Sequence, residues 1–178
     1  MGALGGFDGV GMARHYNGFM TDAERRALYR EVEARITSLL DGEDDWIAAM
    51  ATVSCELHGS FEYFDWTGFY RNKDGKTLVI GPYQGSHGCL RIDFARGVCG
   101  AAARTRETQL VADVNAFPGH IACSSSTQSE IVVPIVTPNG QLLGVLDVDS
   151  NAPAAFTSVD AECLERICAD LGRRYGSM

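Results

Sequence analysis

The stretch SEIVVPIVTPNGQLLGVLDVDS, residues 129–150, decides the fold. Two runs rich in β-branched and aliphatic residues, 129–136 and 142–149, are separated by the turn signal Pro-Asn-Gly at 138–140. Two such runs joined by a short Gly-containing turn are typical of a β-hairpin. The stretch therefore predicts two neighbouring antiparallel strands.

The rest of the chain adds strands and helices around this hairpin. A second turn signal, NKDGK at 72–76, predicts a second hairpin. The spacing of apolar residues and the capping residues predict the other elements. We expect helices at 21–40, 44–57, 97–104 and from Thr157 onward. We expect strands at 61–70, 77–81, 89–92 and 108–114. This order predicts an α+β domain with a largely antiparallel sheet. The outer helices should cover one face, and the irregular segment 81–129 the other.

Length and composition favour a single soluble domain. The chain has 178 residues, of which 46% are hydrophobic and 21% charged, enough for one core. We expect residues 1–20, which are Gly-rich, to be a flexible extension and 21–178 to be a single domain.

Charge and hydropathy exclude several classes of function. A net charge of −8 argues against nucleic acid as a partner. The apolar runs fall short of a membrane span, and the first residues lack the pattern of a secretory signal. We therefore expect a cytoplasmic protein that binds neither nucleic acid nor membrane, and whose six cysteines are reduced or catalytic.

Three of the six cysteines point to thiol chemistry. Cys89, Cys99 and Cys123 lie in Gly-rich or polar turns, with His87 and His120 close by in the sequence. Such positions predict access and a tuned pKa, and the helix start near Cys99 favours a thiolate. The remaining cysteines fall in predicted helices and are interpreted as packing residues: Cys55, Cys163 and Cys168.

Carboxylates and aromatic residues form a second group. Asp147 and Asp149 alternate along one strand and so share a face, and hairpin pairing brings Glu130 near them. Such acids are suited to bind an ammonium group, and a carboxyl with a raised pKa can act as a general acid. Trp66 and Tyr70, four apart on a strand, also share a face and can wall a small apolar pocket.

Each of these patterns has a simpler interpretation. The cysteines can be incidental, or they can bind zinc together with His87 and His120, although the spacing of structural zinc sites is absent. The two aspartates can be a solvated entry to a turn, and the aromatic pair can belong to the core. The residues alone leave these alternatives open.

Several motifs together resemble one family. WTGFY, GPYQG, GVCG, FPGHIAC, SEIVVPI and LGVLDVDS resemble the free methionine-R-sulfoxide reductases, which are GAF-domain enzymes, over roughly residues 22–171. The resemblance implies a six-stranded antiparallel sheet with helices packed around it. It also implies reduction of the R-sulfoxide of free methionine by a thiolate, through a sulfenic acid and an intramolecular disulfide, with thioredoxin as the external reductant.

The resemblance also implies roles for the cysteines. Cys123 would attack the sulfoxide and Cys89 would be the first resolving partner. Cys99 is either an alternative resolver or the competing nucleophile.

For the substrate, the resemblance implies that Trp66 and Tyr70 hold the methyl group. Glu130, Asp147 and Asp149 would bind the sulfoxide oxygen and the ammonium group, with Glu130 as proton donor. We expect no bound cofactor, no metal and a homodimer through the outer helices. The alternative functions are a GAF module that senses a small ligand and a thiol redox switch.

Overall fold

A computed structural model of the chain describes residues 20–119 and 125–176. The predicted extension at 1–20 lies almost wholly outside these residues, as do His120 and Cys123. The helices are α1 Asp22–Leu39, α2 Trp46–Ser60, α3 Gly97–Thr105 and α4 Ser158–Tyr175, with a 3-10 turn at Val114–Ala116. The strands are β1 Trp66–Asn72, β2 Thr77–Gln84, β3 Arg91–Asp93, β4 Gln109–Val111, β5 Ser129–Val136 and β6 Leu142–Ser150.

The six strands form one sheet in the order β3-β2-β1-β6-β5-β4, and each neighbouring pair is antiparallel. This confirms the predicted α+β fold with a six-stranded antiparallel sheet. None of the helices in the described part of the chain has the length and apolarity needed to cross a bilayer.

Both predicted hairpins form, and local chemistry explains their turns. Between β1 and β2, the Asp74 carboxylate accepts hydrogen bonds from the backbone N–H groups of Lys76 and Thr77. Gly75 has φ +76°, a conformation that favours glycine. Between β5 and β6, the turn closes through a 2.9 Å bond from the Thr137 N–H to the Gln141 carbonyl.

The two faces of the sheet are covered differently, as the sequence predicted. Helices α1, α2 and α4 build the main core on one face, with Phe69, Val133 and Leu146 from the sheet. Helix α3 lies on the other face, against β5 and β6. Trp66, Tyr70 and other apolar residues make a second, smaller core there.

The predicted packing roles of the helical cysteines are right for two of three. Cys163 and Cys168 lie in the main core. Cys55 is exposed, because it faces away from the buried side of α2, and the prediction that it packs was wrong. Ile47, an apolar residue in the first turn of the same helix, is also 45% exposed.

Some predicted strands are shorter or shifted. The strand predicted at 61–70 begins only at Trp66, since the preceding aromatic residues pack on each other instead. Phe61 and Phe64 stack with centroids 4.7 Å apart in the main core. The strand predicted at 108–114 is reduced to β4, because Val114 begins a 3-10 turn that the Asp113 carboxylate caps.

Candidate active site

The register of three strands gathers the predicted pocket residues on one face. Asp149 of β6 pairs with Trp66 of β1 on one side and with Glu130 of β5 on the other. One step along the same face, Asp147 pairs with Gly68 and Tyr70 follows. Because side chains alternate along strands, these groups all point towards the smaller core. The predicted juxtaposition of the three carboxyls is confirmed.

Helix α3 covers this face of the sheet and places Cys99 next to the carboxyls. Cys99, in the first turn of α3, is only 4% exposed. Its sulfur and one carboxylate oxygen each of Glu130 and Asp147 lie within 4.8 Å of one another. The result is a cavity with a thiol and three carboxyls in its lining.

An aromatic stack forms one wall of the cavity. The Trp66 and Tyr70 rings lie nearly parallel with centroids 5.9 Å apart, and Tyr83 stacks on the outer side of Trp66 at 5.4 Å. The Trp66 Nε1–H donates a 2.8 Å hydrogen bond to the Ser86 carbonyl. The aromatic pair is therefore both buried core and pocket wall.

The loop after β2 packs directly on this wall. A Cβ on Gly88 would lie 2.9 Å from the Tyr70 hydroxyl and 3.0 Å from the Trp66 ring, so only glycine allows the loop to approach so closely. The loop places His87 in the cavity lining, one residue before Gly88, and leads into Cys89. One short loop thus joins the cavity wall to Cys89.

Sequence reasoning missed several residues of this region, among them Tyr83, Ser86 and Thr127. Ser86 and Thr127 line the cavity, whereas Tyr83 extends the aromatic stack outward. Tyr83 belongs to the GPYQG motif, but nothing in its spacing indicated a contact with Trp66. The contact depends on β1–β2 pairing, in which Tyr83 opposes Gly68.

Burial and mutual repulsion raise the pKa values of all three carboxyls. Burial is the main cause for Glu130, whose pKa is well above its usual range, and the charges of Asp147 and Asp149 add to it. The pKa of Asp149 is also well above its usual range, chiefly through burial and then through the charge of Asp147. Burial raises the pKa of Asp147 to about 7, while interactions with Cys99 and Glu130 as hydrogen-bond donors limit the rise. Burial in one cavity therefore favours the protonated forms of these carboxyls.

The same environment contradicts part of the prediction for Cys99. Burial, followed by the charges of Asp147 and Glu130, raises the pKa of the Cys99 thiol well above its ordinary value. The N-terminus of α3 favours a thiolate at Cys99, but burial and the nearby acids oppose it more strongly. Cys99 is neither accessible nor acidic, although it does lie in the cavity as expected.

Cys89 is disulfide-bonded and half-buried, and it packs against the smaller core. Four other cysteines carry free thiols: Cys55, Cys99, Cys163 and Cys168. A disulfide sulfur offers no thiolate to a metal, so Cys89 is no zinc ligand in this state. The predicted nucleophile, Cys123, lies outside the described residues.

Residues 43–173 match the GAF domain family, and the chain belongs to that family. It is 37% identical to the free methionine-R-sulfoxide reductase of Saccharomyces cerevisiae over 170 residues, which is 92% of this chain and 94% of that protein. It is 41% identical to the enzyme of that name from Escherichia coli, covering 81% of this chain and 86% of the relative.

A solved structure agrees with these relatives. The free methionine-R-sulfoxide reductase of Neisseria meningitidis, in complex with its substrate, superposes with a TM-score of 0.82 at 42% identity, over 90% of this chain and 95% of that one. Within the GAF family, the chain thus belongs to the free methionine-R-sulfoxide reductases.

Proposed function

We propose that this protein reduces free L-methionine (R)-sulfoxide to methionine. The observation that carries the proposal is the cavity between the sheet and α3, where an aromatic wall faces three buried carboxyls and a thiol. Its lining contains no lysine or arginine among the described residues, so it is suited to a ligand that brings its own positive charge. The family to which the chain belongs supports the same reaction.

The cavity fits a free amino acid better than a residue in a peptide. Asp147 and Asp149 would pair with the substrate's ammonium group, and Trp66 and Tyr70 would hold its methyl group. A peptide-bound methionine sulfoxide has a neutral amide at this position and would leave the carboxyls without their ion partner. Without that cation the buried carboxyls gain no ion pair, and the loss of charge-assisted contacts of about 1.5–3 kcal/mol each is a strong basis for discrimination.

The chemistry that we propose is a two-electron exchange. The Cys123 thiolate attacks the sulfoxide sulfur, and the oxygen leaves that sulfur as methionine is released and Cys123 becomes a sulfenic acid. Glu130, whose pKa is raised chiefly by burial, donates a proton towards the oxygen. The Cys89 thiol then displaces the oxygen as water and forms a disulfide. Two thiols are oxidised for each sulfoxide reduced.

The state of the other cysteines supports this assignment. Cys89 is in a disulfide, and the four cysteines with free thiols are excluded as its partner. Cys123 is the one that is left, and we propose that it is the partner. Cys99 is disfavoured as the nucleophile, since the raised pKa of its thiol leaves little thiolate at neutral pH.

We further propose that a thioredoxin-type protein regenerates the thiols. Leu90, directly after Cys89, is 73% exposed and offers an apolar contact beside the disulfide. The cytoplasmic location and the homodimer through the outer helices stay predictions. Sedimentation at micromolar concentration would test the second.

The test is to mix the reduced protein with free methionine (R)-sulfoxide in a single turnover and to count methionine and lost thiols. We expect two thiols lost for each methionine formed. A protein that binds the sulfoxide without losing thiols would be a sensor, and faster oxidation by hydrogen peroxide than by the sulfoxide would indicate a redox switch. Mass spectrometry of single Cys→Ser variants would then identify the nucleophile, with Cys89→Ser expected to trap a sulfenic acid on Cys123.

A further inference from the structure

Three potential metal ligands meet in the cavity. The Cys99 sulfur and one oxygen each of Glu130 and Asp147 lie within 4.8 Å of one another, and all three residues are buried. They come from α3, β5 and β6, so regular secondary structure holds each of them. A site on such elements has its ligands well positioned before any ion arrives.

An unpartnered oxygen points independently to a missing ligand. Asp147 is 6% exposed, and its Oδ1 is fully buried with no hydrogen-bond partner in the described part of the chain. Asp147 lines the cavity, and a buried acceptor without a donor is unfavourable. Since no lysine or arginine is found among the described lining residues, a metal cation that pairs with this oxygen would come from solution.

The ligand set selects among cations. Thiolate is a soft ligand that magnesium and calcium avoid, whereas zinc, cadmium and cobalt accept sulfur together with carboxylate oxygen. Tetrahedral zinc with bonds of 2.0–2.3 Å places its ligand atoms about 3.5 Å apart, so side-chain movements of roughly 1 Å would close the site. Three protein ligands leave a fourth position open to the cavity.

We propose that Cys99, Glu130 and Asp147 form a binding site for a thiophilic divalent cation of the zinc class. The ion displaces the thiol proton to solvent and binds the thiolate and one oxygen of each carboxyl. Because Asp147 would also bind the ammonium group of the amino acid, the ion excludes the substrate. This last consequence rests on the proposed function, while the metal site itself does not.

The test uses the full chain in its disulfide form, so that Cys89 offers no thiolate, and takes cobalt(II) as a spectroscopic substitute for zinc. We expect one cobalt ion per chain, with a thiolate-to-cobalt charge-transfer band that zinc abolishes by displacement. The band should be lost in Cys99→Ser and unchanged in Cys55→Ser, the matched control with an exposed thiol. Asp147→Asn should weaken cobalt binding by roughly tenfold or more. Circular dichroism checks that each variant is folded.

Absence of the band at millimolar cobalt, or its persistence in folded Cys99→Ser, would overturn the site. Should Cys99→Ser not fold, the Cys55→Ser and Asp147→Asn titrations decide the question. Zinc should also raise the apparent KM for the sulfoxide, and a cobalt band that survives saturating sulfoxide would overturn the competition. A protein that binds cobalt but turns over no sulfoxide would keep the metal site and lose the proposed function.

Discussion

Asp149 lines the cavity and lies between Trp66 and Glu130 in the strand register. Replacing it in Asp149→Asn removes a charge that would pair with the substrate ammonium but leaves the thiols in place. Hydrogen bonds to charged groups contribute about 1.5–3 kcal/mol, so we expect KM to rise roughly 10- to 100-fold while kcat changes less. Steady-state kinetics with free methionine (R)-sulfoxide measures both values.

The matched control is Asp41→Asn, which alters an exposed aspartate in the turn after α1. It should leave KM and kcat unchanged. A turnover defect in Asp149→Asn with an unaltered KM would contradict the assignment of Asp149 to substrate binding and would place it in the chemical step.

Cys99 should react slowly with alkylating agents in spite of its position in the cavity. Its thiol is buried and its pKa is well above the ordinary value, so little thiolate is exposed at neutral pH. With the reduced protein and iodoacetamide at pH 7.5, we expect Cys99 to be labelled roughly tenfold or more slowly than the exposed Cys55. Peptide mass spectrometry over time gives both rates. Labelling of Cys99 as fast as that of Cys55 would contradict its burial.

For single residues, the sequence predicted the face of the sheet on which a side chain lies better than it predicted how deeply that side chain is buried. Alternation alone placed Asp147 and Asp149 on one face, because the period of a strand is two residues. The burial of Cys99 could not be predicted from such a local pattern. It depends on how α3 packs against β5 and β6, and this packing joins residues more than twenty positions apart.

At the scale of elements, one buried carboxylate fastens α4 to α1 and to the segment before β1. Asp160 accepts a 2.6 Å hydrogen bond from the Arg25 guanidinium, and bonds of 3.0 and 2.6 Å from the hydroxyls of Tyr29 and Tyr63. It also accepts from the Thr157 backbone in the capping box of α4.

Asp160→Asn should therefore destabilise the fold strongly, because Arg25 would be left as a buried charge without its counterion. Breaking a buried pair by removing one partner costs about 3–5 kcal/mol. Glu162→Gln breaks the exposed pair with Arg26 on the same two helices and should cost about 1 kcal/mol or less. Urea unfolding compares the two variants, and equal losses would show that Asp160 does not act as this anchor.

Turn chemistry predicted both hairpins, because residues such as Gly75 and Asp74 act on their nearest neighbours. The strand predicted at 61–70 was wrong in its first half for the opposite reason. Aromatic residues favour strands, but Phe61 and Phe64 are used to fill the main core between α1, α2 and α4. Tertiary packing overrides strand propensity here.

At the scale of the whole molecule, the sheet separates the main core on one face from the candidate active site on the other. Its main core packs against α1, α2 and α4, while the other face holds a smaller core and the acidic cavity. The sheet was predictable from local patterns, whereas the cavity required the strand order β2-β1-β6-β5, which places the aromatic wall beside the acids. Three acids buried together oppose folding whenever they are ionised.

The stability of the protein should consequently fall as pH rises from about 4 through 7. The pKa values of Glu130, Asp147 and Asp149 are raised in the folded protein, and that of Asp147 reaches about 7 from an ordinary 3.8. Within this window the folded protein keeps protons that the unfolded chain has released, so the free energy of unfolding decreases with pH. The groups that face these acids are the Cys99 thiol, the Tyr70 hydroxyl, His87 and Asp65.

The variant in which all three acids are replaced by their amides (Glu130→Gln, Asp147→Asn and Asp149→Asn) should lose much of this decline, because it has no raised carboxyls left to titrate. Thermal unfolding at pH 5.5 and pH 8 gives the change in Tm for both proteins. Exposed carboxylates with lowered pKa values, such as Glu24 and Asp74, act in the opposite direction, but they are present in both proteins and cancel in the comparison. Equal changes in Tm for wild type and variant would mean that the cavity acids are ionised at little cost, and would contradict the raised pKa values of Glu130, Asp147 and Asp149.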